Sequence, residues 1–371
     1  MVVFAVAYAL AIAAGRATRL AGSEVALAWP AAAVAIIWLL VMQQRGLVER
    51  GVHLVALAVV TFATNLVTGA PLAVAGWFVL VNITLAMVTV RLLHWRGATA
   101  VLRDPADLAH LVGAVTGGAS CAAVLATVYF AATGDVRVGE TFALFLVRNG
   151  TSALLGVSIW LRLRDVVWRR PKITAGKAAE AVGVAAAVTA VFVGTFWVNT
   201  GASLAFLSLV PAMWLALRYS TTVSTVFLAL AGTWIIYATL SGRGGFALAD
   251  AENRAILART MVCTLTIVTL ALSLYRDSRA RLITQLEAAR DRADRDSQML
   301  GAVLDSIHDG VVVVAADGTV VLENARANES QLVPDVLSAV ELPDLPSGES
   351  SSAPRDIVVS SHDARVVELT A

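Results

Sequence analysis

Ala271-Leu272-Ser273-Leu274-Tyr275-Arg276-Asp277-Ser278-Arg279-Ala280-Arg281 is the stretch at which this chain changes solvent. Upstream of Tyr275, one apolar run follows another with few charges between them. Downstream, Arg and Asp alternate and apolar residues return only at intervals. An uncharged run of about 20 residues crosses a hydrocarbon core as a helix, because every backbone polar group is then satisfied within the segment. The junction therefore separates a membrane bundle from a helix that leaves it.

Composition agrees. Of 371 residues, 58% are hydrophobic and 15% charged, with a mean hydropathy of +0.75. Ordinary soluble domains carry roughly a quarter charged residues. A soluble enzyme is excluded for residues 1–275. Met1 to Gly15 lacks the basic n-region of a secretory signal and reads as the first span. The two cysteines, Cys121 and Cys263, lie inside apolar runs and read as packing residues.

Apolar segments run over 2–15, 25–42, 52–69, 72–93, 107–132, 139–161, 178–198, 202–217, 221–240 and 255–275. The first and eighth are short for a bilayer, so 8–10 spans are expected. Ten spans with the N-terminus inside put Arg45, Arg50, Arg91, Arg96, Arg103, Arg162, Arg164, Arg169, Arg170, Lys172, Lys177 and Arg218 in inside loops. Only Arg16, Arg19, Arg137 and Arg243 fall outside, with Arg254 at the margin. Basic residues favour the cytoplasmic side, so the bias places the C-terminus in the cytoplasm of a multi-pass plasma-membrane protein. Trp95, Trp160, Trp168 and Trp197 fall near span ends, as an aromatic belt requires.

Polar groups inside apolar segments must face protein or a water cavity. Arg148 is the sharpest, mid-segment in Phe145-Leu146-Val147-Arg148-Asn149 with no acid nearby in sequence. It reads either as a ligand-binding or switching group, or as a structural donor that snorkels outward. Asn65, Asn82 and Asn149 suit interhelical hydrogen bonds or the same ligand site. His110, one turn after Asp107, suits a cap, an interface or a pH sensor. Arg259 is expected near the outer surface. Trp29-Pro30 opens the second segment with proline where its missing amide costs nothing, and Trp29 is a further candidate for the sensing site. Pro211 should break the eighth, which makes neighbouring Trp214 and Arg218 candidates for a cavity lining.

Beyond the junction, Leu282, Leu286, Ala289, Ala293, Asp296, Leu300, Val303 and Ile307 follow heptad spacing. Residues 276–303 read as a signalling helix that pairs with a second copy as a parallel coiled coil, with Leu282, Leu286, Ala289, Ala293 and Leu300 as relay positions. The alternative is a solvated single helix with ion pairs four residues apart.

Residues 304–371 begin with Asp309-Gly310, a Val-rich strand, Asp317-Gly318, a second strand and Asn324. These landmarks resemble the start of a PAS domain. The loop-like run Pro343 to Pro354 and a late hairpin at 357–369 replace the usual middle of that family. Ala371 falls where a PAS domain would still owe its last strand, so an incomplete α/β PAS-like domain is expected. The upstream bundle, about residues 20–276, resembles the bacterial membrane-associated sensor (MASE) domain of the first, multi-span type. The similarity rests on Leu27-Ala28-Trp29-Pro30-Ala31-Ala32, Val81-Asn82-Ile83-Thr84-Leu85-Ala86, Pro211-Ala212-Met213-Trp214-Leu215-Ala216-Leu217-Arg218 and Gly242-Arg243-Gly244-Gly245-Phe246. Where that family often carries an acid in the sixth span, this chain has Arg148-Asn149. The resemblance implies an input module of a signalling protein, as in actinobacterial sensor histidine kinases.

His308 precedes Asp309-Gly310 and lacks the flanking residues of a kinase phosphoacceptor. No P-loop, metal-ligand cluster or paired-carboxylate motif occurs in the sequence. The expectation is a polytopic α-helical sensory module without catalytic residues, metal or cofactor. Its partners would be the lipid bilayer, a second copy, and a cytoplasmic effector domain or response regulator, with no nucleic acid. The alternative is a transporter or permease with a regulatory tail.

Overall fold

In the computed structural model, residues 1–19, 26–95, 100–134, 138–164, 175–199, 204–306, 312–314, 320–323, 355–359 and 365–369 are described. Each of the ten apolar segments contains a helix. These are α1 (Val2–Ala17), α2 (Pro30–Met42), α3 (Leu47–Val67), α4 (Leu72–His94), α5 (Pro105–Ala132), α6 (Val138–Leu163), α7 (Ala175–Val193), α8 (Leu209–Arg218), α9 (Thr221–Leu240) and α10 (Ala251–Ser306). Among the described residues, seven helical stretches are long and apolar enough to cross a bilayer, against the 8–10 spans expected, because three further apolar helices fall below that length. The short ones include α2, read from the sequence as a span of eighteen residues or so but helical over only 13.

Two units are distinguished, Met1–Arg281 and Leu282–Ala371. In the first, α2 is the innermost element. It packs on α1, α3, α4 and α6, and nine of its residues, from Ala31 to Met42, are buried. Alanines make this possible, since they let neighbouring backbones approach where lipid offers no hydrophobic drive. Gly156 of α6 lies so close to Ala33 of α2 that a Cβ there would collide with it. α3 shows the opposite pattern. Val52, Val55 and Val59 are all more than half exposed, an apolar face suited to contact with lipid.

Proline positions follow backbone chemistry. Pro30 stands in the first turn of α2, after the N-cap Trp29. Pro211 lies in the first turn of α8, where its missing amide would have no partner. The expected break occurs upstream of it instead, where a 3-10 turn at Ala205–Ser208 hands over to α8. α7 ends in a π turn, Gly194–Val198. There Trp197 stacks on Tyr237 with ring centroids 5.6 Å apart, and Arg243 lies 4.3 Å from the Trp197 ring.

α10 has no interruption over its 56 residues. The first unit closes at Arg281, beyond the apolar limit at 275, because polar side chains just past that limit fold back onto the bundle. In the second unit, Leu282, Leu286, Ala289, Ala293 and Leu300 are exposed on the single chain. One ion pair, Arg290 with Asp294 at 3.9 Å, runs along this part of the helix. Two antiparallel hairpins follow. β1 (Val312–Val314) pairs with β2 (Val320–Glu323), with an irregularity after Val313. β3 (Arg355–Val359) pairs with β4 (Arg365–Leu369) in continuous register. Among the described residues the two pairs share no ladder, and two separate hairpins do not make the PAS-like α/β domain that was expected. Asp309, Gly310, Asp317, Gly318 and Asn324 lie outside the described residues.

Candidate functional site

Trp29 ties four helices together. Its backbone N–H donates to Ser152 Oγ on α6 at 2.9 Å, and its indole Nε1 donates to Asn82 Oδ1 on α4 at 3.3 Å. Asn82 in turn donates from Nδ2 to the Phe78 carbonyl one turn earlier, at 2.9 Å. That bond fixes the amide so that its oxygen faces the indole. Gly15 of α1 lies against the indole ring, and a Cβ there would stand 2.7 Å from Trp29 Cε3.

Arg148 sits over this cluster. Its guanidinium carbon lies 4.9 Å from the Trp29 ring centroid and 4.4 Å from that of Phe145. Both are within cation–π range, which partly compensates lost hydration. The residue is 7% exposed, and Nε is buried without a hydrogen-bond partner. Neighbouring Asn149 is buried too, and its Oδ1 has no partner. The snorkelling reading of Arg148 is thereby replaced: the side chain turns inward because aromatic faces receive it there.

Arg259, expected to be an unremarkable residue near the outer surface, is enclosed by protein and only 3% exposed. Its Nε donates to the Leu27 carbonyl at 2.9 Å and Nη2 donates to the Ala26 carbonyl. Nη1 is buried with no partner. The chain entering α2 leaves these carbonyls free, because they precede the helix, and α10 supplies the donor. Among the described residues, neither Arg148 nor Arg259 forms an ion pair. A cavity of about 340 Å³ adjoins Arg259, lined also by Thr18, Thr151, Ser152 and Thr233 among apolar side chains from α1, α2, α6, α9 and α10; Arg148 lies one turn before Thr151 and Ser152 on α6.

The remaining candidates lie apart from this cluster. Asn65 belongs to a separate network: its Nδ2 donates to the Thr61 carbonyl at 2.8 Å and its Oδ1 accepts from Arg16 at 3.1 Å. Arg16 also donates to the Thr68 carbonyl at 2.6 Å. Asp107 caps α5 reciprocally with Asp104 and does not pair with His110. The His110 ring nitrogen Nε2 lies 3.3 Å from the Leu93 carbonyl. Trp214 is 45% exposed, and Arg218 pairs with Glu180 at 2.8 Å on the surface. The structure thus unites Trp29, Asn82, Arg148 and the adjacent Asn149, and separates Asn65, His110, Trp214 and Arg218 from them.

A second constellation escaped the sequence reading. Asp277, just past the apolar part of α10, accepts from the Thr221 backbone N–H at 3.1 Å and from its hydroxyl at 2.6 Å. Thr221 is the first residue of α9, so Asp277 satisfies a helix-terminal amide from another helix. Arg276 also donates to Asp277, and Arg162 stands 3.9 Å away. Arg281 reaches Asp104 at 2.9 Å. Burial raises the Asp277 carboxyl, but the bonds from Thr221 and Arg276 outweigh it and hold the group below the usual carboxylate range. The result is a polar collar joining α10 to the starts of α5 and α9 and the end of α6. Its sequence signal is weak, because Thr221 lies 56 residues from Asp277.

Residues 1–280 match the family model described as MASE1. No curated protein and no solved structure matches the chain. The matched range ends at the collar.

Proposed function

The chain belongs to the MASE1 family of membrane-associated sensory domains, and from that premise we propose how this member senses and relays. The Trp29–Arg148–Arg259 cluster is the sensing centre, and α10 is the output element. The observation that carries this reading is the continuity of α10. One helix bears Arg259 near its start, the collar at Asp277 and the heptad positions beyond Arg281. A displacement at the buried arginine has no break in which to dissipate before the seam.

The rest of the relay follows from sequence pattern. The basic bias of the alternate loops supports an inside N-terminus and a cytoplasmic exit for α10. The exposed leucines at 282, 286 and 300 support a parallel dimer with weak alanine layers, suited to exchange between registers. The hairpin around Asp317-Gly318 supports a PAS-like adaptor over 304–371. The resemblance supports a histidine kinase as the effector it regulates.

Cysteine cross-linking in native membranes tests this. With Cys121 and Cys263 replaced by alanine, Leu286→Cys and Leu300→Cys should each link to the same position in a second copy. Deleting Ala293 should preserve the link at 286 and move the one at 300, whereas Ala293→Leu should leave both in place. Absence of links at every seam position removes the dimer relay. Solute-specific flux into proteoliposomes would establish a permease in its stead.

A further inference from the structure

Three sets of polar groups in the bundle include arginines, and they differ in what faces the cation. In one, Arg16 donates to Asn65 Oδ1 and to the Thr68 carbonyl, Asn65 donates to the Thr61 carbonyl, and the Thr61 hydroxyl donates to the Tyr8 hydroxyl. The collar pairs Asp277 and Asp104 with arginines. The third set is open. Arg148 keeps an unpartnered Nε and Arg259 an unpartnered Nη1, both buried. Two carbonyls and two rings partly solvate these cations but cancel neither charge. Taking a guanidinium out of water without a counter-charge is costly. The missing species is an anion.

The adjoining cavity limits which anion. Its volume of about 340 Å³ lies at the lower end of the range of roughly 300–1,000 Å³ seen for ligand pockets. Arg259 lines it, and hydroxyls of Thr151 and Ser152, one turn beyond Arg148 on α6, stand beside it. Leu155, Ile236 and Val262 also line it. Inorganic phosphate would leave that apolar wall uncovered, and a neutral hydrocarbon would leave the arginines unpaired. We propose that this cavity binds a small organic anion. Its carboxylate is received by Arg259 and by the field of Arg148, and its short apolar body packs against α6, α9 and α10. The inference names the ligand class of the sensing centre proposed above and rests on that reading.

Such a carboxylate can arrive from water or from the bilayer, and two probes separate these sources. The full chain is placed in zwitterionic nanodiscs and equilibrium binding is measured with radiolabelled octanoate added from solution, and with oleate supplied in the bilayer. Octanol serves as the uncharged control. Saturable binding of octanoate supports a soluble ligand, saturable binding of oleate a lipid-derived one, and octanol should not compete. Removing one charged hydrogen-bond donor should weaken binding about 10- to 100-fold in Arg259→Gln. Because Arg259 also holds Leu27 and Ala26, two further variants guard against misfolding. Arg148→Gln should weaken binding while keeping those carbonyl contacts, and Ala229→Leu should fill the cavity without removing a charge. Octanol competing as well as octanoate, no saturable binding of either acid, or wild-type affinity in both Arg148→Gln and Ala229→Leu would overturn the proposal. Binding that leaves the cross-links at 286 and 300 unchanged removes the relay and keeps the site. A cross-link shift driven by another stimulus, with no acid bound, removes the site and keeps the relay.

Discussion

Replacing Asp277 with alanine should loosen the start of α9 without disturbing the bundle core. The carboxylate accepts two hydrogen bonds from Thr221, at 3.1 Å from the backbone N–H and 2.6 Å from the hydroxyl. Bonds to a charged partner contribute about 1.5–3 kcal/mol each when fully buried. The Asp277 side chain is 23% exposed, so water recovers part of that. A negative charge at a helix N-terminus adds about 0.3–1 kcal/mol. A net local loss of about 2–3 kcal/mol follows, or about 30- to 150-fold in an opening equilibrium. Hydrogen–deuterium exchange in nanodiscs reads this directly at the amides of residues 221–224 and 276–281. Asp277→Asn, which keeps one acceptor oxygen, should fall between wild type and alanine. Unchanged exchange at Thr221 in Asp277→Ala would show that the collar does not hold α9, and that the closure of the first unit at Arg281 has another cause.

Three further outcomes are expected. Because the folded Asp277 carboxyl titrates below its unfolded range, the collar's contribution is complete above about pH 4. It should vanish only as the solution is acidified through the depressed folded value, seen as a late rise in exchange at Thr221. Gly156→Leu should destabilise the contact between α2 and α6 by at least the 1–3 kcal/mol typical of overpacking, measured as a lowered Tm in detergent, while Gly301→Ala on exposed α10 should be neutral or slightly stabilising. Asn82→Leu removes the acceptor for the Trp29 indole and should cost about 0.6–2 kcal/mol, with Trp29 fluorescence, isolated against a Trp29→Phe background, reporting a changed environment.

Helix locations were legible because apolar runs of helix length have a single structural solution in lipid. Pro30 marked the start of α2 for the same local reason. Arg148 too could be flagged, since a charge in mid-segment is costly wherever its neighbours lie. What the sequence concealed depends on distant partners. Arg259 reaches Leu27 across 232 residues, and nothing near either position announces the other. Trp29 was legible as a candidate at a helix start, but not its contacts with Ser152 and Asn82, which make it a junction of four helices. Asp277 was visible as part of a charge run, and charge runs are usually solvated. Only its placement at the first amide of α9 distinguishes it. Trp214 and Arg218 were drawn in by Pro211, whose effect the preceding 3-10 turn absorbs.

The short, enclosed α2 has a consequence for biogenesis. At 13 residues, it falls below the roughly 20 needed to cross a bilayer alone, so it is a poor substrate for independent insertion. Its principal late partner, α6, emerges from the ribosome more than a hundred residues afterwards. Until then Trp29 lacks the Ser152 hydroxyl and α2 lacks the wall formed by Gly156. The amino-terminal part of the chain must therefore wait in an unfinished state at the translocon. Arg259, still later in the order of synthesis, is the side chain that latches the entry to α2 once the last helix of the bundle has been made.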